Sequence, residues 1–292
     1  MSHTSHPMIS VVIPTHNRRE RLARAIASVY AQTWPNIEIV VVDDASSDDT
    51  PAYLQDLALS DPRVKVVRNE FAQGGGGARN CGIAEATGDY IAFLDDDDVW
   101  VPEKLDVQLS MLLAKPGVSA VSCGFVAEFP FFGKRAVRVV APLDEQQLLR
   151  SNHLGGASMC LTSKAALLAI GGFDPKLRSG QDWDLWLKLY GQGEIVVSNQ
   201  ALVRYIPHSG VRITSNPKST YSGRRRIYFR YRLKMERATR LLLLCELMYC
   251  RRILLAIGSR AKLSGFVQVF KAAIGRNSLR YTYRFAKHLM LG

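Results

Sequence analysis

Through the first hundred residues, short apolar runs rich in β-branched side chains alternate with stretches whose apolar positions recur every three or four residues. Residues 9–14, 37–42, 64–67 and 90–94 are runs of the first kind, and mostly apolar runs of that length predict strands of a buried parallel sheet. Between the first two, Leu22, Ala25, Ile26, Val29 and Tyr30 repeat at helical spacing, preceded by Asn17 and Glu20 at the separation of a capping box. Thr50-Pro51 predicts a cap and a first helical position, and a third helix is expected from about Ala78, closed by Thr87-Gly88. Strand and helix alternating at this pitch predict an α/β fold: a doubly wound, mostly parallel sheet with helices on its faces.

The second half is less regular. Residues 118–125 and 155–161 predict strands, 131–140 an extended segment, and 143–150 and 163–170 short helices. Gln181-Asp182-Trp183-Asp184 opens an amphipathic helix with its acids in the first turn, where the helix dipole favours them. The net charge of +12 hides a division. Residues 222–292 carry 17 Lys or Arg against two acids, Glu236 and Glu246, leaving 21 bases and 24 acids for the first 221 residues. A nearly neutral body and a basic tail predict two units, 8–221 and 222–292. The polar start predicts a chain without a secretory leader, and no apolar run approaches the ~20 residues of a membrane span. Five cysteines without a Cys-x-x-Cys pair argue against a disulfide framework or a zinc site and suit a reducing cytoplasm.

The chemistry gathers at the predicted strand ends. Thr15, Asn17 and Arg18 follow the first strand, Asp43 and Asp44 the second, and Asp95-Asp96-Asp97-Asp98 the fourth. Ligands of open α/β sheets bind outside the carboxyl ends of the strands. Four consecutive carboxylates after a buried strand repel one another and resist dehydration, which a hard divalent cation would relieve. The competing reading is a solvated acidic turn that caps the helix after Trp100-Val101-Pro102. Residues 73–80, Gln-Gly-Gly-Gly-Gly-Ala-Arg-Asn, bring glycine amides and Arg79 to one rim, either as a phosphate cradle or as a flexible surface loop. They match neither the dinucleotide pattern nor a P-loop.

Residues 13–18 (Ile-Pro-Thr-His-Asn-Arg), 42–48 (Val-Asp-Asp-Ala-Ser-Ser-Asp), Ala78-Arg79-Asn80 with Gly82, Leu94 with the four acids, and Gln181-Asp182-Trp183 resemble, in order, the family 2 glycosyltransferases of the GT-A fold. The resemblance covers roughly residues 8–212 and implies an inverting, Mg²⁺- or Mn²⁺-dependent transfer from a nucleotide-sugar to a hydroxyl of a glycan or lipid-linked acceptor. It makes Asp182 the general base, in a pair whose first member is here Gln181. Asp44 would meet the donor base, Arg79 the diphosphate and Asp96 the ribose, with Pro14, Thr15, Asn17, Arg18, Asp43, Gly77 and Asp95 on the same donor surface. Asp97 and Asp95 would be metal ligands, with a register uncertain by one residue within the tetrad. His208 falls where the family often folds a loop over the nucleotide, and it joins the candidate metal ligands; an ordinary surface histidine fits equally. Trp183, with Trp186, either walls the acceptor site or belongs to the core. Two other readings share part of this pattern: a sugar-phosphate nucleotidyltransferase, and a non-catalytic scaffold of the same fold.

In the tail, Ile227, Tyr231, Met235, Ala238, Leu242 and Cys245 recur every three or four residues with arginines between them, and Leu263, Phe266, Val267, Phe270 and Ile274 repeat the pattern. Basic amphipathic helices predict peripheral contact with an anionic membrane on the cytoplasmic side. Docking on the body or pairing into a homodimer are the alternatives, and no nucleic-acid motif is present. On this reading, deleting 222–292 leaves donor binding intact.

Overall fold

The computed structural model describes residues 6–128, 135–138, 144–206 and 216–257. The elements run β1 (Ile9–Thr15), α1 (Arg19–Tyr30), β2 (Ile37–Asp43), α2 (Thr50–Ser60), β3 (Val64–Arg68), α3 (Gly74–Glu85), β4 (Tyr90–Phe93), β5 (Asp98–Trp100), α4 (Lys104–Ala114) and β6 (Val118–Glu128). They continue with β7 (Arg135–Arg138), α5 (Glu145–Arg150), a 3-10 turn (Ala157–Met159), β8 (Leu161–Ser163), α6 (Lys164–Ala169), α7 (Gln181–Tyr190), β9 (Glu194–Tyr205), α8 (Pro217–Tyr231) and α9 (Arg237–Ile257). The chain divides into two compact units, Met1–Ile227 and Tyr228–Gly292. The division falls inside α8, beyond the point where the charge changes.

One sheet of nine strands, in the order β3-β2-β1-β4-β8-β6-β9-β5 with β7 beside β6, forms the body. The four strands expected from the apolar runs pair in parallel, β3-β2-β1-β4. Beyond β4 the sheet is mixed: β8 is antiparallel to both β4 and β6, and β9 is parallel to β6 but antiparallel to β5. Successive side chains of a strand point to opposite faces, and β1 shows the result. Ile9, Val11 and Ile13 pack into one cluster with Leu22, Ile26, Ile39, Val41 and Leu54. Val12 and Val42 face the other way and receive α3. Gly82 allows that approach, since a Cβ there would overlap Val12 and stand 3.2 Å from Val42 Cγ2. Each such fully buried Ile, Leu or Val contributes roughly 1.5–3 kcal/mol.

Several local expectations are corrected. The segment 155–161 is not a strand: a 3-10 turn occupies its centre and β8 begins only at Leu161. Gly155 sits at a φ of 86°, outside strand geometry. The long strand β9 had no counterpart in the sequence reading, because its polar and apolar residues do not alternate strictly and its pairing with β6 carries register shifts. Of 131–140 only β7 is described, and it is a strand. In the tail, the stripe does not continue: α8 ends at Tyr231, and α9 buries Thr239, Leu243 and Leu247 rather than Ala238 and Leu242. The second stripe, 263–274, lies outside the described residues. Among the described residues, no helix is long and apolar enough to cross a membrane.

Candidate active site

The parallel strands finish at one edge of the sheet, and register aligns Thr15 with Asp43 and Asp43 with Arg68 across β1, β2 and β3. The turns that follow knit into a rim. Asn17 and Ala45 adopt left-handed φ values of 54° and 63°. Asn17 N–H donates to Ser46 Oγ at 2.9 Å, and Asn17 Oδ1 accepts from the Ser47 and Asp48 amides at 2.7 and 3.2 Å. Asn17 is therefore not the cap of α1, whose N-cap is Arg18 without a side-chain bond; its carbonyl joins two loops instead. Pro14 is half-buried at the end of β1, and an open cleft of about 440 Å³ lies between residues 17–21 and Asp48-Asp49.

Asp43 and Asp44 are both buried and face different partners. Asp43 Oδ1 accepts the Ser46 amide at 2.9 Å, while its Oδ2 stands 3.7 Å from Arg68 Nε. Asp44 accepts from Asn69 Nδ2, the Gln73 amide and the Gly74 amide, each at 2.8 Å. Gln73 and Gly74 open α3, so the glycine run is the helix's first turn rather than a loop ahead of it. A carboxylate at that position satisfies orphan amides and meets the positive end of the helix dipole. Gly77 packs in the same turn, where a Cβ would come within 2.6 Å of Gln73 Cβ.

The acidic tetrad splits into two sets. Asp96 turns to β1: Thr15 Oγ1 and Arg18 Nη1 each donate to it at 2.9 Å, and the same Nη1 reaches Asp97 Oδ2 at 3.4 Å. Burial raises the Asp96 carboxyl above its usual range, with Arg18 opposing. Asp95, Asp97 and Asp98 instead present carboxylate oxygens within 4.8 Å of one another. Burial, then the charge of Asp95, pushes Asp98 well above the usual carboxylate range, and its buried Oδ1 has no hydrogen-bond partner. Three converging hard oxygen donors with an orphaned lone pair fit a divalent cation. Asp98 was not among the ligands expected. It converges because its amide folds back onto the Asp95 carbonyl at 3.0 Å before β5 begins, and four identical residues carry no signal of which three meet.

Arg79 projects from α3 to this edge, 7% exposed, paired with Asp95 and donating to Gln181 Oε1 at 3.2 Å. Its guanidinium lies 5.2 Å from the Phe173 ring centre. Burial works against its charge, but Asp95 and Asp182 outweigh that and raise its pKa. Asp182 occupies the first turn of α7 beside it. Burial lifts the Asp182 carboxyl to about 6, with Arg79 opposing, Asp95 adding and the nearby Ala157 amide opposing. Its Oδ1 has no partner, although the residue itself is partly open to solvent. Asp184, about 200° further round the helix, is fully buried against Lys188 at 3.4 Å. Trp183 is 7% exposed with its indole N–H on Leu148 O at 2.6 Å, and Trp186 is fully buried on Gly155 O at 3.0 Å. His208 lies outside the described residues.

The start of α7 is braced from α8. Arg226 Nε donates to Asp174 Oδ2 at 2.6 Å, and Ile227 Cδ1 lies 3.0 Å from the position a Gly180 Cβ would take. Gly223 fits where any Cβ would overlap the Ser179 carbonyl. A cut at 221 removes all three of these residues.

The sequence pattern described as Glycosyl transferase family 2 matches residues 10–169. The UDP-Glc:alpha-D-GlcNAc-diphosphoundecaprenol beta-1,3-glucosyltransferase WfgD of Escherichia coli is 33% identical over 196 residues, 66% of this chain and 73% of that protein. The putative colanic acid biosynthesis glycosyl transferase WcaA of Escherichia coli is 31% identical over 81% of this chain and 85% of its own length. Among solved structures, S. aureus TarS in complex with UDP-GlcNAc superposes with a TM-score of 0.68 at 21% identity, over 88% of this chain and 76% of that one. The mannosyltransferase PcManGT of Pyrobaculum calidifontis, in complex with GDP-Man and Mn²⁺, gives 0.63 at 19% identity over 98% and 86%. At those identities the two structures establish the fold. Together with the relatives and the matched pattern, they make the chain a GT-A-fold member of glycosyl transferase family 2.

Proposed function

We propose that this glycosyltransferase moves a hexosyl or N-acetylhexosaminyl group from a nucleoside-diphosphate donor to a hydroxyl of a lipid-linked acceptor, with inversion, using Asp182 as general base. The observation that carries the reading is the Asp182 carboxylate itself. It is half-buried, its carboxyl is lifted to about 6 by that burial, its Oδ1 is without a partner, and it stands beside the Arg79–Asp95 pair. A sugar hydroxyl is a poor nucleophile at neutral pH, so a base tuned to that range is what the step needs. Asp182 takes the hydroxyl proton as the acceptor oxygen bonds to the anomeric carbon and the bond from that carbon to the diphosphate oxygen breaks. The nucleoside diphosphate leaves, and the single displacement inverts the centre.

Arg79 would stabilise the charge that develops on the leaving diphosphate. Asp95, Asp97 and Asp98 would hold Mg²⁺ or Mn²⁺, which when bound neutralises charge on that leaving group. Asp96, with Thr15 and Arg18, is suited to the ribose side, and Asp43 and Asp44 flank the base. The lipid-linked acceptor is supported by the activity of WfgD, whose acceptor is an alpha-D-GlcNAc-diphosphoundecaprenol. The test offers the full chain UDP- and GDP-sugars with Mn²⁺ or Mg²⁺ and a polyprenyl-diphosphate-linked sugar. Release of nucleoside diphosphate coupled to acceptor elongation is the expected result. Pyrophosphate release from a nucleoside triphosphate and a sugar phosphate would make the chain a nucleotidyltransferase, and absence of all turnover would make it a scaffold.

An acceptor anchored in lipid calls for an enzyme at the membrane surface, and α9 offers a face for it. Leu241, Leu244 and Met248, three or four residues apart, are 54%, 37% and 61% exposed, flanked by exposed Arg237, Arg240, Arg251 and Arg252. Such a face fits an anionic bilayer, each arginine near it adding about 1 kcal/mol. Full-length protein is expected to float with phosphatidylglycerol vesicles at low salt and to detach as salt rises. Replacing Leu241, Leu244 and Met248 together by Glu should abolish flotation without changing nucleotide affinity. Persistent flotation of that variant, or a wild-type dimer that loses its pairing with the triple change, would assign the face differently.

A further inference from the structure

We propose that Ser158 is a positioning residue that sets the metal-side carboxylates at their working separation. The inference rests on the transferase reading above. The 3-10 turn Ala157–Met159 was expected to be part of a strand, yet it touches both halves of the site. The Asp95 amide donates to Ser158 Oγ at 3.0 Å, and the same hydroxyl is near enough to the Asp98 carboxyl to oppose the effect of burial on it. One fully buried oxygen therefore accepts from the residue that pairs with Arg79 and faces the carboxylate with the orphaned Oδ1. One residue earlier, the Ala157 amide lies near Asp182 and acts on it in the same sense.

The turn is held rigidly from below. Trp100 Nε1 donates to the Ser158 carbonyl at 3.1 Å, and Gln108 Nε2 donates to the Met159 carbonyl at 2.8 Å. Lys104, fully buried, ties these two anchors together: its ammonium donates to Gln108 Oε1 at 2.6 Å and lies 3.9 Å from the Trp100 ring centre. A serine held this firmly cannot follow the carboxylates if they drift; they must come to it. Groups that orient ligands in this way are typically worth about 10–100-fold in metal affinity or activity.

The test compares Ser158→Ala with Ser122→Ala. The second removes an equally buried hydroxyl that donates to Leu154 O at 2.9 Å, outside the group of carboxylates. Mn²⁺ binding is read by electron paramagnetic resonance, alone and with UDP or GDP, alongside thermal melting of each variant. Ser158→Ala is expected to weaken Mn²⁺–nucleotide binding by about tenfold or more while melting within a few degrees of Ser122→Ala, which retains wild-type Mn²⁺ affinity. Equal Mn²⁺ affinity in wild type and Ser158→Ala overturns the inference and leaves the transferase reading standing. A loss shared by Ser122→Ala in proportion to its melting temperature also overturns it. A wild-type chain that binds Mn²⁺ under none of these conditions defeats the donor-site reading and this inference together.

Discussion

Replacing Asp182 by Asn is expected to lower turnover by at least ~10²-fold, the scale of a lost general base, and at the same time to make the protein more stable at pH 7. The sign follows from the carboxyl being lifted from 3.8 to about 6 by burial. A raised carboxyl favours the folded state only where it is protonated, so its stabilising share is complete below about pH 4 and is lost as pH rises through 6. Above that the wild type carries a buried charge that the amide does not, on the order of 2 kcal/mol, or several degrees of melting temperature in a chain of this size. Melting scans of both proteins in EDTA at pH 4 and pH 7 should show the gap opening with pH. The wild-type kcat/KM should rise with pH, pass through half its maximum near 6 and level off about one unit higher. Turnover within a few-fold of wild type would move the base elsewhere; an unchanged melting difference between the two pH values would remove the buried-charge account.

Asp97→Asn is the second large effect. It withdraws one of three converging carboxylates, so nucleoside diphosphate binding should lose its dependence on Mn²⁺ and weaken at least ~100-fold in calorimetry, beyond the 10–100-fold that loss of an orienting group typically costs. The fold should survive, because the remaining acids repel one another less. Asp96→Asn is the informative comparison: bound to Thr15 and Arg18 rather than to the cluster, it should reduce nucleotide affinity and leave the Mn²⁺ dependence in place. If the two variants exchanged behaviours, the tetrad would be read in the wrong register.

What the chain disclosed before folding depended on whether a feature was local. The four parallel strands were legible because a mostly buried strand writes itself as a short, β-branched, mostly apolar run, and β1 to β4 lie where those runs lie. The proximity of Asp182 and Arg79, some hundred residues apart, was legible only through ordered motifs. Position within the tetrad was not, since identical neighbours differ only in which backbone turn carries them. The 3-10 turn at Ala157–Met159 was missed because its anchors come from Trp100 and Gln108, some fifty residues away, and no window of local periodicity contains them. The tail's boundary was drawn by charge, but packing ignores charge: Gly223, Arg226 and Ile227 belong to the body by their contacts and to the tail by composition.

That last placement has a practical corollary for anyone recombining such chains. The seam between the two compact units is not where composition changes but within α8, after Ile227. A foreign anchoring segment joined beyond that point leaves the Gly223–Ser179 seat and the Arg226–Asp174 pair in place. One joined at residue 222 exchanges the glycine for whatever the donor chain supplies, and any side chain there pushes on Ser179, three positions before Asp182. Modularity in this protein is thus a property of a helix interior, and a graft that respects the visible change in charge would cut away the support of α7.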